Sequence, residues 1–151
     1  MDFLPINIRI SDARILIVGG GHVATHKATI LSRFTDRATV IAPDISDRIK
    51  ALPFQWQERD FKESDLDNVT LLFICTGNHQ LNRIIHQLAK ERNILTSICD
   101  SPAECDFTSP AIYRDGDLTI AVASDSKDVR RSIRVRDRIR EAIEYDSIQI
   151  D

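Results

Sequence analysis

The chain has 151 residues, of which 42% are hydrophobic and 28% are charged, and its formal net charge at pH 7 is −3. The composition is that of an ordinary globular protein, and the length fits one compact domain but not two full ones. No apolar run reaches the roughly 18 to 20 residues that span a bilayer, and the first residues lack the pattern of a signal peptide. We therefore expect a cytoplasmic protein without a membrane segment.

Cysteine usage agrees with a reducing compartment. The three cysteines, Cys75, Cys99 and Cys105, are an odd number and lack the spacing of a metal site, so free thiols are expected. Cys75 and Cys99 lie at the ends of predicted strands and are interpreted as small buried hydrophobic residues. No His/Cys cluster has metal-ligand spacing, and we predict no resident metal.

The first predicted elements form a strand, a glycine turn and a helix. Residues 3–10 are predicted as an irregular lead-in with a short strand, and residues 14–42 as the first βαβ unit. The uninterrupted apolar run from 15 to 18 is typical of a strand buried on both faces. Gly19, Gly21 and Ala24 then match the G-x-G-x-x-A dinucleotide pattern, in which the turn and the helix beginning near His22 receive a pyrophosphate. In that helix Val23, Ile30, Leu31 and Phe34 have the spacing to face the sheet.

The second predicted strand, residues 38–42, ends just before Pro43 and Asp44. Asp44 lies about twenty residues beyond the glycine pattern, where a carboxylate commonly accepts a hydrogen bond from a ribose hydroxyl. An acid at this position favours NAD over NADP, whose ribose phosphate it would repel. The alternative interpretation of Asp44 is a turn or helix-cap residue.

The following segments alternate between strands and helices. We predict a polar helix at 45–52, strands at 54–58, 69–75 and 94–99, and a helix at 80–90 with Leu81, Ile84, Ile85 and Leu88 on one stripe. This is the pattern of a Rossmann-type doubly wound α/β sheet in the order 3-2-1-4-5, and we assign residues 1–110 to an NAD-binding domain. Ligands bind at the carboxyl ends of such strands. This rule places residues 19–23, Pro43, Asp44, Thr76, Gly77 and Asp100 around one crevice. The predicted cofactor-binding residues among them are Gly19, Gly21, His22, Val23, Pro43, Asp44, Thr76 and Gly77.

The pattern changes after Asp100. Strands at 111–114 and 118–123, joined at Asp115-Gly116, indicate a β-hairpin, and residues 129–145 indicate a helix. We therefore assign residues 111–151 to an extension for dimerisation and substrate contact. The helix carries an apolar face of Val129, Ile133, Val135, Ile139, Ala142 and Ile143. Such a face needs a partner surface, either in a homodimer or on the protein's own sheet.

The C-terminal part is locally cationic. Between residues 127 and 140 there are seven basic side chains against two acidic ones. A solvated helix face is one explanation. Nucleic acid is a poor partner, because the rest of the chain is acidic and lacks a base-reading motif.

Asp100 is the predicted catalytic residue. It stands at the carboxyl end of the fifth strand, where it could take a proton while the cofactor takes a hydride. Partial burial is expected to raise the pKa of its carboxyl group. Such strand-end aspartates also cap turns and helices, and that alternative stays open.

Several motifs occur together in one order along the chain. They are Met1-Asp-x-Leu-Pro-Ile, Leu16-Ile-Val-Gly-Gly-Gly-x-Val-Ala with Lys27, Ala42-Pro43-Asp44, Leu81-Asn82-Arg83, Asp100-x-Pro102, Cys105-Asp106-Phe107 with Pro110-Ala111, and Leu118-Thr-Ile-Ala-Val. With these motifs the chain resembles the precorrin-2 dehydrogenase family, the NAD-binding N-terminal module of siroheme synthase. The resemblance covers about residues 1–124, and the segment from Asp100 to Ala111 is its most specific part.

The resemblance implies that a hydride and a proton are removed from precorrin-2, with NAD as acceptor, to give sirohydrochlorin. Some members of the family then insert ferrous iron. Asp100 falls on the functional aspartate of the family, and Ser124 on a serine that opens the loop before the C-terminal helices. The dinucleotide contacts of the family fall on His22, Val23, Pro43 and Asp44. A polycarboxylate substrate also favours cationic neighbours. The candidates are Arg114, Lys127, Arg130, Arg131 and Arg134.

Three departures from the family pattern leave an alternative open. Residues 124–129 replace a glycine-rich segment that contains Ser-Pro, Gly77-Asn78 stands where acidic residues are common, and only one helix follows the hairpin. The alternative function is a non-catalytic module that binds a dinucleotide or a tetrapyrrole as a sensor or as a partner subunit.

Overall fold

The protein is described by a computed structural model that covers residues 3–145. Two compact units make up this part of the chain: Pro5–Phe107, and residues 108–145 together with residues 3 and 4. No helix in the described part is long and apolar enough to cross a membrane. The first two residues of the motif that begins at Met1 and the end of the predicted extension, residues 146–151, lie outside the described residues.

The larger unit is built on a five-stranded parallel sheet in the order β3-β2-β1-β4-β5. The predicted Rossmann-type fold class and strand order are therefore confirmed. The strands are β1 (Ile15–Val18), β2 (Ala38–Ala42), β3 (Gln55–Glu58), β4 (Leu71–Ile74) and β5 (Leu95–Ile98), and the helices are α1 (His22–Leu31), α2 (Asp47–Lys50) and α3 (His79–Glu91). Short 3-10 helices occur at Glu63–Leu66 and Pro102–Glu104.

The sheet has a hydrophobic cluster on each face, and β1 contributes to both. Ile15 and Ile17 belong to one cluster, and Leu16 and Val18 belong to the other. All four side chains are buried, as the uninterrupted apolar run predicted. This central position places the turn after β1 at the point where the strand order reverses, which is where doubly wound sheets bind their ligands.

The packed face of helix α1 agrees only in part with the predicted one. Ala24 and Ala28 are fully buried against the sheet, whereas Val23 and Phe34 are 45% and 36% exposed. Of the predicted residues, Leu31 packs against the cluster around Ile15 and Ile17, whereas Val23 and Phe34 stay outside it. In α3 the predicted stripe is also partly wrong, because Ile84 is exposed while Ile85 is buried.

The lead-in before β1 contains no strand in residues 3–10, so that prediction is wrong. Leu4, Ile6 and Ile8 are exposed, and the segment therefore has no buried face that would fix it to a sheet. Ile10 is partly buried and packs against the cluster around Ile15.

The second unit consists of an antiparallel hairpin and a helix. Its elements are β6 (Ala111–Asp115), β7 (Leu118–Val122) and α4 (Val129–Glu144), as predicted. Helix α4 lies against both strands of the hairpin, and Arg136 donates a hydrogen bond of 3.1 Å to the carbonyl oxygen of Ile112. Ser132 is the buried residue of the helix, whereas Val129, Ile133 and Val135 remain exposed. The helix thus packs on its own hairpin, with a face shifted from the predicted apolar one.

Candidate active site

The turn between β1 and α1 requires two of its three glycines for packing. Gly19 has a φ of +127°, and a Cβ atom there would overlap the carbonyl oxygen of Cys75. A Cβ atom on Gly20 would overlap the carbonyl oxygen of Asp44. The turn therefore packs closely between the segment that follows β4 and the segment that follows β2. Gly20 lies in the predicted crevice range but was not among the predicted cofactor-binding residues.

Gly21, in contrast, faces open space. A Cβ atom added to it would have no neighbour within 4 Å. Gly21 is also the N-cap of α1, and no side chain caps the helix there. Helix N–H groups that lack a side-chain partner at an open helix end suit an anion such as a pyrophosphate. His22 and Val23 are exposed at the same helix end, so the residues present fit the predicted dinucleotide site.

Pro43 and Asp44 follow β2 and are both exposed. Helix α2 is capped by Ser46, whose hydroxyl accepts from the Ile49 N–H at 3.4 Å, so the helix-cap interpretation of Asp44 is wrong. Ser46 also shares a hydrogen bond of 2.8 Å with the hydroxyl of Thr25 in α1. Helix α1, which follows the glycine turn, is thus joined by a direct hydrogen bond to the segment that follows Asp44.

A hydrogen-bonded network joins the ends of β4 and β5. Thr76 donates its hydroxyl hydrogen to Oδ1 of Asn82, which is 1% exposed. Nδ2 of Asn82 donates to the Thr76 carbonyl oxygen at 3.2 Å and to Oδ2 of Asp100 at 3.0 Å. The same Oδ2 is in hydrogen-bond contact with Nδ1 of His79. His79 and Asn82 lie at the start of α3, where the Asn78 side chain accepts hydrogen bonds from two backbone N–H groups.

This network controls the charge of Asp100. Burial raises the pKa of its carboxyl group, but the hydrogen bonds from Asn82 and His79 favour the anion and leave the pKa below its ordinary value. The predicted rise in this pKa is therefore wrong, because burial was considered without the donors that accompany it. Asp100 is an anion at neutral pH.

A cavity of about 260 Å³ lies next to this network. Its walls come from α3, from the end of β5 and from the 3-10 helix that follows, and they include Arg83 and Glu104 besides His79, Asn82 and Asp100. The cavity therefore has charged groups of both signs around the Asp100 carboxylate. Within residues 3–145, no three His, Cys, Asp or Glu side chains are grouped so that they could hold a metal ion.

Two cysteines follow the strands that carry this network. The Sγ atoms of Cys75 and Cys99 are 2.7 Å apart, and both thiols are free. The hydrogen bond to Cys99, followed by burial, raises the pKa of Cys75, whereas the same hydrogen bond lowers the pKa of Cys99. Cys99 is also the less buried of the two. The interpretation as passive buried residues holds better for Cys75 than for Cys99.

We predict that iodoacetamide at neutral pH modifies Cys99 before Cys75, because the thiolate is the reactive form and access favours Cys99. Peptide mass spectrometry after short exposures measures the order. In a Cys99→Ser variant, Cys75 should stay slow, since burial still protects it. Faster modification of Cys75 than of Cys99 in the unmodified chain would contradict the assignment.

The second unit carries the candidate substrate residues. The hydroxyl of Ser124 accepts from the Asp128 N–H at 3.2 Å and from the Ser132 hydroxyl at 2.9 Å, so it is engaged at the start of α4. Arg114 donates from Nε to the carbonyl oxygen of Gly116 at 3.2 Å. The other predicted cations, which are exposed at the start of α4 or just before it, are Lys127, Arg130, Arg131 and Arg134.

Comparison with known proteins supports the dinucleotide site. Residues 6–111 match a family model described as "Putative NAD(P)-binding". The chain belongs to this family. The matched region of the NAD(P)-binding family contains the glycine turn, Asp44, the Thr76 to Asp100 network and the two cysteines.

The chain is also similar in sequence to siroheme synthases. The chain is 32% identical over 131 residues to the enzyme of Photorhabdus laumondii and 34% identical over 142 residues to that of Pseudomonas fluorescens. These alignments cover 84% and 90% of this chain, but only 28% and 31% of the relatives. The chain thus spans less than a third of the length of these relatives.

The fold of the chain is also similar to that of a protein of known structure. The chain is similar to the protein named "SirC, precorrin-2 dehydrogenase", with a TM-score of 0.77 and 19% identity. The match covers 92% of this chain and 70% of the other. The likeness supports the Rossmann-type fold with its hairpin and helix.

Two residues of the network were not predicted as site residues. Asn82 was noted only within the motif Leu81-Asn82-Arg83, and its burial is the reason that it can hold Asp100. No sequence motif indicated His79, because its partner Asp100 is 21 positions away along the chain. Their meeting depends on β4 and β5 being neighbours in the sheet.

Proposed function

We propose that the chain is an NAD-dependent dehydrogenase that converts precorrin-2 to sirohydrochlorin in siroheme biosynthesis. The observation that carries the proposal is its similarity to siroheme synthases over most of its length, reaching 95% of the chain for the Thioalkalivibrio sulfidiphilus enzyme at 31% identity. The fold of a precorrin-2 dehydrogenase and the open glycine turn support it. We further propose that the protein works in the cytoplasm as a homodimer, without nucleic acid or membrane partners.

The proposed cofactor is NAD, which supplies the hydride acceptor when bound. The open end of α1 would hold the pyrophosphate, and the exposed Asp44 would accept a hydrogen bond from a ribose hydroxyl. In NADP a phosphate group stands in place of that hydroxyl, so Asp44 favours NAD. Thr76 and Gly77 lie at the end of β4, beside the switch point of the sheet. The residues proposed to contact the cofactor are Gly19, Gly21, His22, Val23, Pro43, Asp44, Thr76 and Gly77.

The proposed substrate contacts come from the second unit, within the extension assigned to residues 111–151. The support is chemical, because the exposed cations of α4 suit the carboxylates of a tetrapyrrole. Ser124 would shape the start of this helix through its hydrogen bonds to Asp128 and Ser132. The proposed cationic contacts are Arg114, Lys127, Arg130, Arg131 and Arg134.

The test is an anaerobic reaction of the purified protein with precorrin-2 and NAD, followed by the absorbance of sirohydrochlorin and of NADH. We expect both products in equal amounts. Ferrous iron added afterwards tests for siroheme formation, because an anionic carboxylate such as Asp100 could position the metal. Saturable NAD binding without turnover would contradict the dehydrogenase and favour a non-catalytic binding module. Light scattering at micromolar concentration tests the dimer, which a monomer would overturn.

A further inference from the structure

The contact between Asp100 and His79 defines the hydrogen position on the imidazole. Asp100 is ionised, so both of its oxygens can only accept hydrogen bonds. Nδ1 of His79 faces Oδ2 of Asp100 and must therefore carry the hydrogen in this contact. The neutral imidazole then has its lone pair on Nε2. The carboxylate thus selects the tautomer in which Nε2 can accept a proton.

Asp100 is poorly placed to be the base itself. Its Oδ2 already receives hydrogen bonds from Asn82 and His79, and its side chain is only 23% exposed. Protonation of a carboxylate stabilised in this way is unfavourable, because it removes the negative charge that strengthens both hydrogen bonds. His79 differs in both respects. Its side chain is 78% exposed, and it borders the cavity of about 260 Å³.

The buried part of the network supports a positioning role for Asp100. The amide of Asn82 is held at both ends, by the hydroxyl of Thr76 at Oδ1 and by two acceptors at Nδ2. Asn82 therefore holds Asp100 in a fixed orientation. A fixed carboxylate that orients an exposed imidazole is a recurring arrangement for general-base catalysis.

We propose that His79 is the catalytic proton acceptor of the dehydrogenation and that Asp100 is the residue that positions it. This inference rests on the proposed function. In this reaction the substrate would lose a hydride, whose two electrons NAD+ would accept when bound, and a proton from a neighbouring N–H or C–H bond. That proton passes to Nε2, the imidazole becomes an imidazolium, and it then releases the proton to water. The charged and titratable groups around His79 in this cavity are Asp100, Glu104 and Arg83.

The first test needs no substrate. Long-range nitrogen–proton NMR spectra at alkaline pH report which ring nitrogen of each histidine carries the hydrogen. We expect the Nδ1–H form for His79 in the unmodified protein and a shift toward the Nε2–H form in Asp100→Asn. A predominant Nε2–H form in the unmodified protein would overturn the positioning role, whether or not the protein is a dehydrogenase.

The second test is kinetic. His79→Gln should lower kcat by about 10²-fold or more, the usual range for a lost general base, with the dissociation constant of NAD unchanged. His86→Gln, two turns further along α3, is the matched control and should keep the activity. Normal turnover in His79→Gln would overturn the role of His79.

The two proposals fail in distinguishable ways. If the unmodified protein does not oxidise precorrin-2, the proposed function fails and, with it, the catalytic role of His79. The tautomer measurement still decides whether Asp100 positions the ring. If the unmodified protein is active and His79→Gln is equally active, only the further inference fails. His79 is exposed, so its replacement is not expected to disturb folding.

Discussion

Gly20→Ala should lower the free energy of unfolding by about 3 kcal/mol, a large part of the roughly 5 to 15 kcal/mol that stabilises a typical domain. The added Cβ atom would overlap the carbonyl oxygen of Asp44, which belongs to the backbone and cannot rotate away. The turn after β1 or the chain after β2 must then move. Urea denaturation followed by circular dichroism measures the effect, and a midpoint equal to that of the unmodified chain would contradict it.

Gly21→Ala is the matched control for this experiment. The same methyl group there meets no atom within 4 Å, so the denaturation midpoint should change little. It would instead occupy space that the pyrophosphate needs, and we expect the affinity for NAD to fall about tenfold or more, equivalent to about 1.4 kcal/mol. Calorimetric titration with NAD measures this loss. Unchanged affinity would show that the cofactor does not approach the turn at Gly21.

Asp100→Asn should lower kcat by about 10³-fold or more, because the amide can no longer hold His79 in the Nδ1–H form. The wild-type carboxylate accepts from both His79 and Asn82 at one oxygen, whereas an amide that turns its NH2 group toward them repels both donors. The affinity for NAD should stay within a few-fold, since the glycine turn and Asp44 are unaffected. Steady-state kinetics and calorimetric titration separate the two effects.

Asp36→Asn provides the control for a change from carboxylate to amide. Asp36 is exposed and precedes β2, at the opposite end of the strands from Asp100. Its replacement should leave kcat and the affinity for NAD unchanged. Full activity in Asp100→Asn would remove Asp100 from the site, and an equal loss in both variants would point to a general effect of charge.

The fold could be predicted because its signals are local and repeated. Uninterrupted apolar runs such as Ile15–Val18 indicate buried parallel strands, and the helices between them fix the order through right-handed crossovers. The glycine turn could also be predicted, because close packing restricts the residue types there. The close packing of Gly20 could not be predicted from the sequence, because it depends on the path of the chain near Asp44.

The chemistry at Asp100 was harder to predict for a related reason. The pKa of a carboxyl group depends on the difference between desolvation and hydrogen bonding, and a sequence shows neither the donors nor their distances. His79 and Asn82 are separated from Asp100 by 21 and 18 positions along the chain. The packed face of α1 was predicted only in part, because its fully buried residues are the small side chains of Ala24 and Ala28, whereas Val23 and Phe34 stay exposed.

The contacts around the glycine turn have a consequence for the thermodynamics of cofactor binding. Gly20 packs against the backbone of Asp44, and Thr25 is hydrogen-bonded to Ser46, so the pyrophosphate and ribose halves of the proposed site are ordered when the protein folds. Little conformational entropy is then left to lose when the dinucleotide arrives. The conformational-entropy cost of ordering this turn and Asp44 should therefore contribute little to the binding of NAD, and binding should be lost when the domain melts.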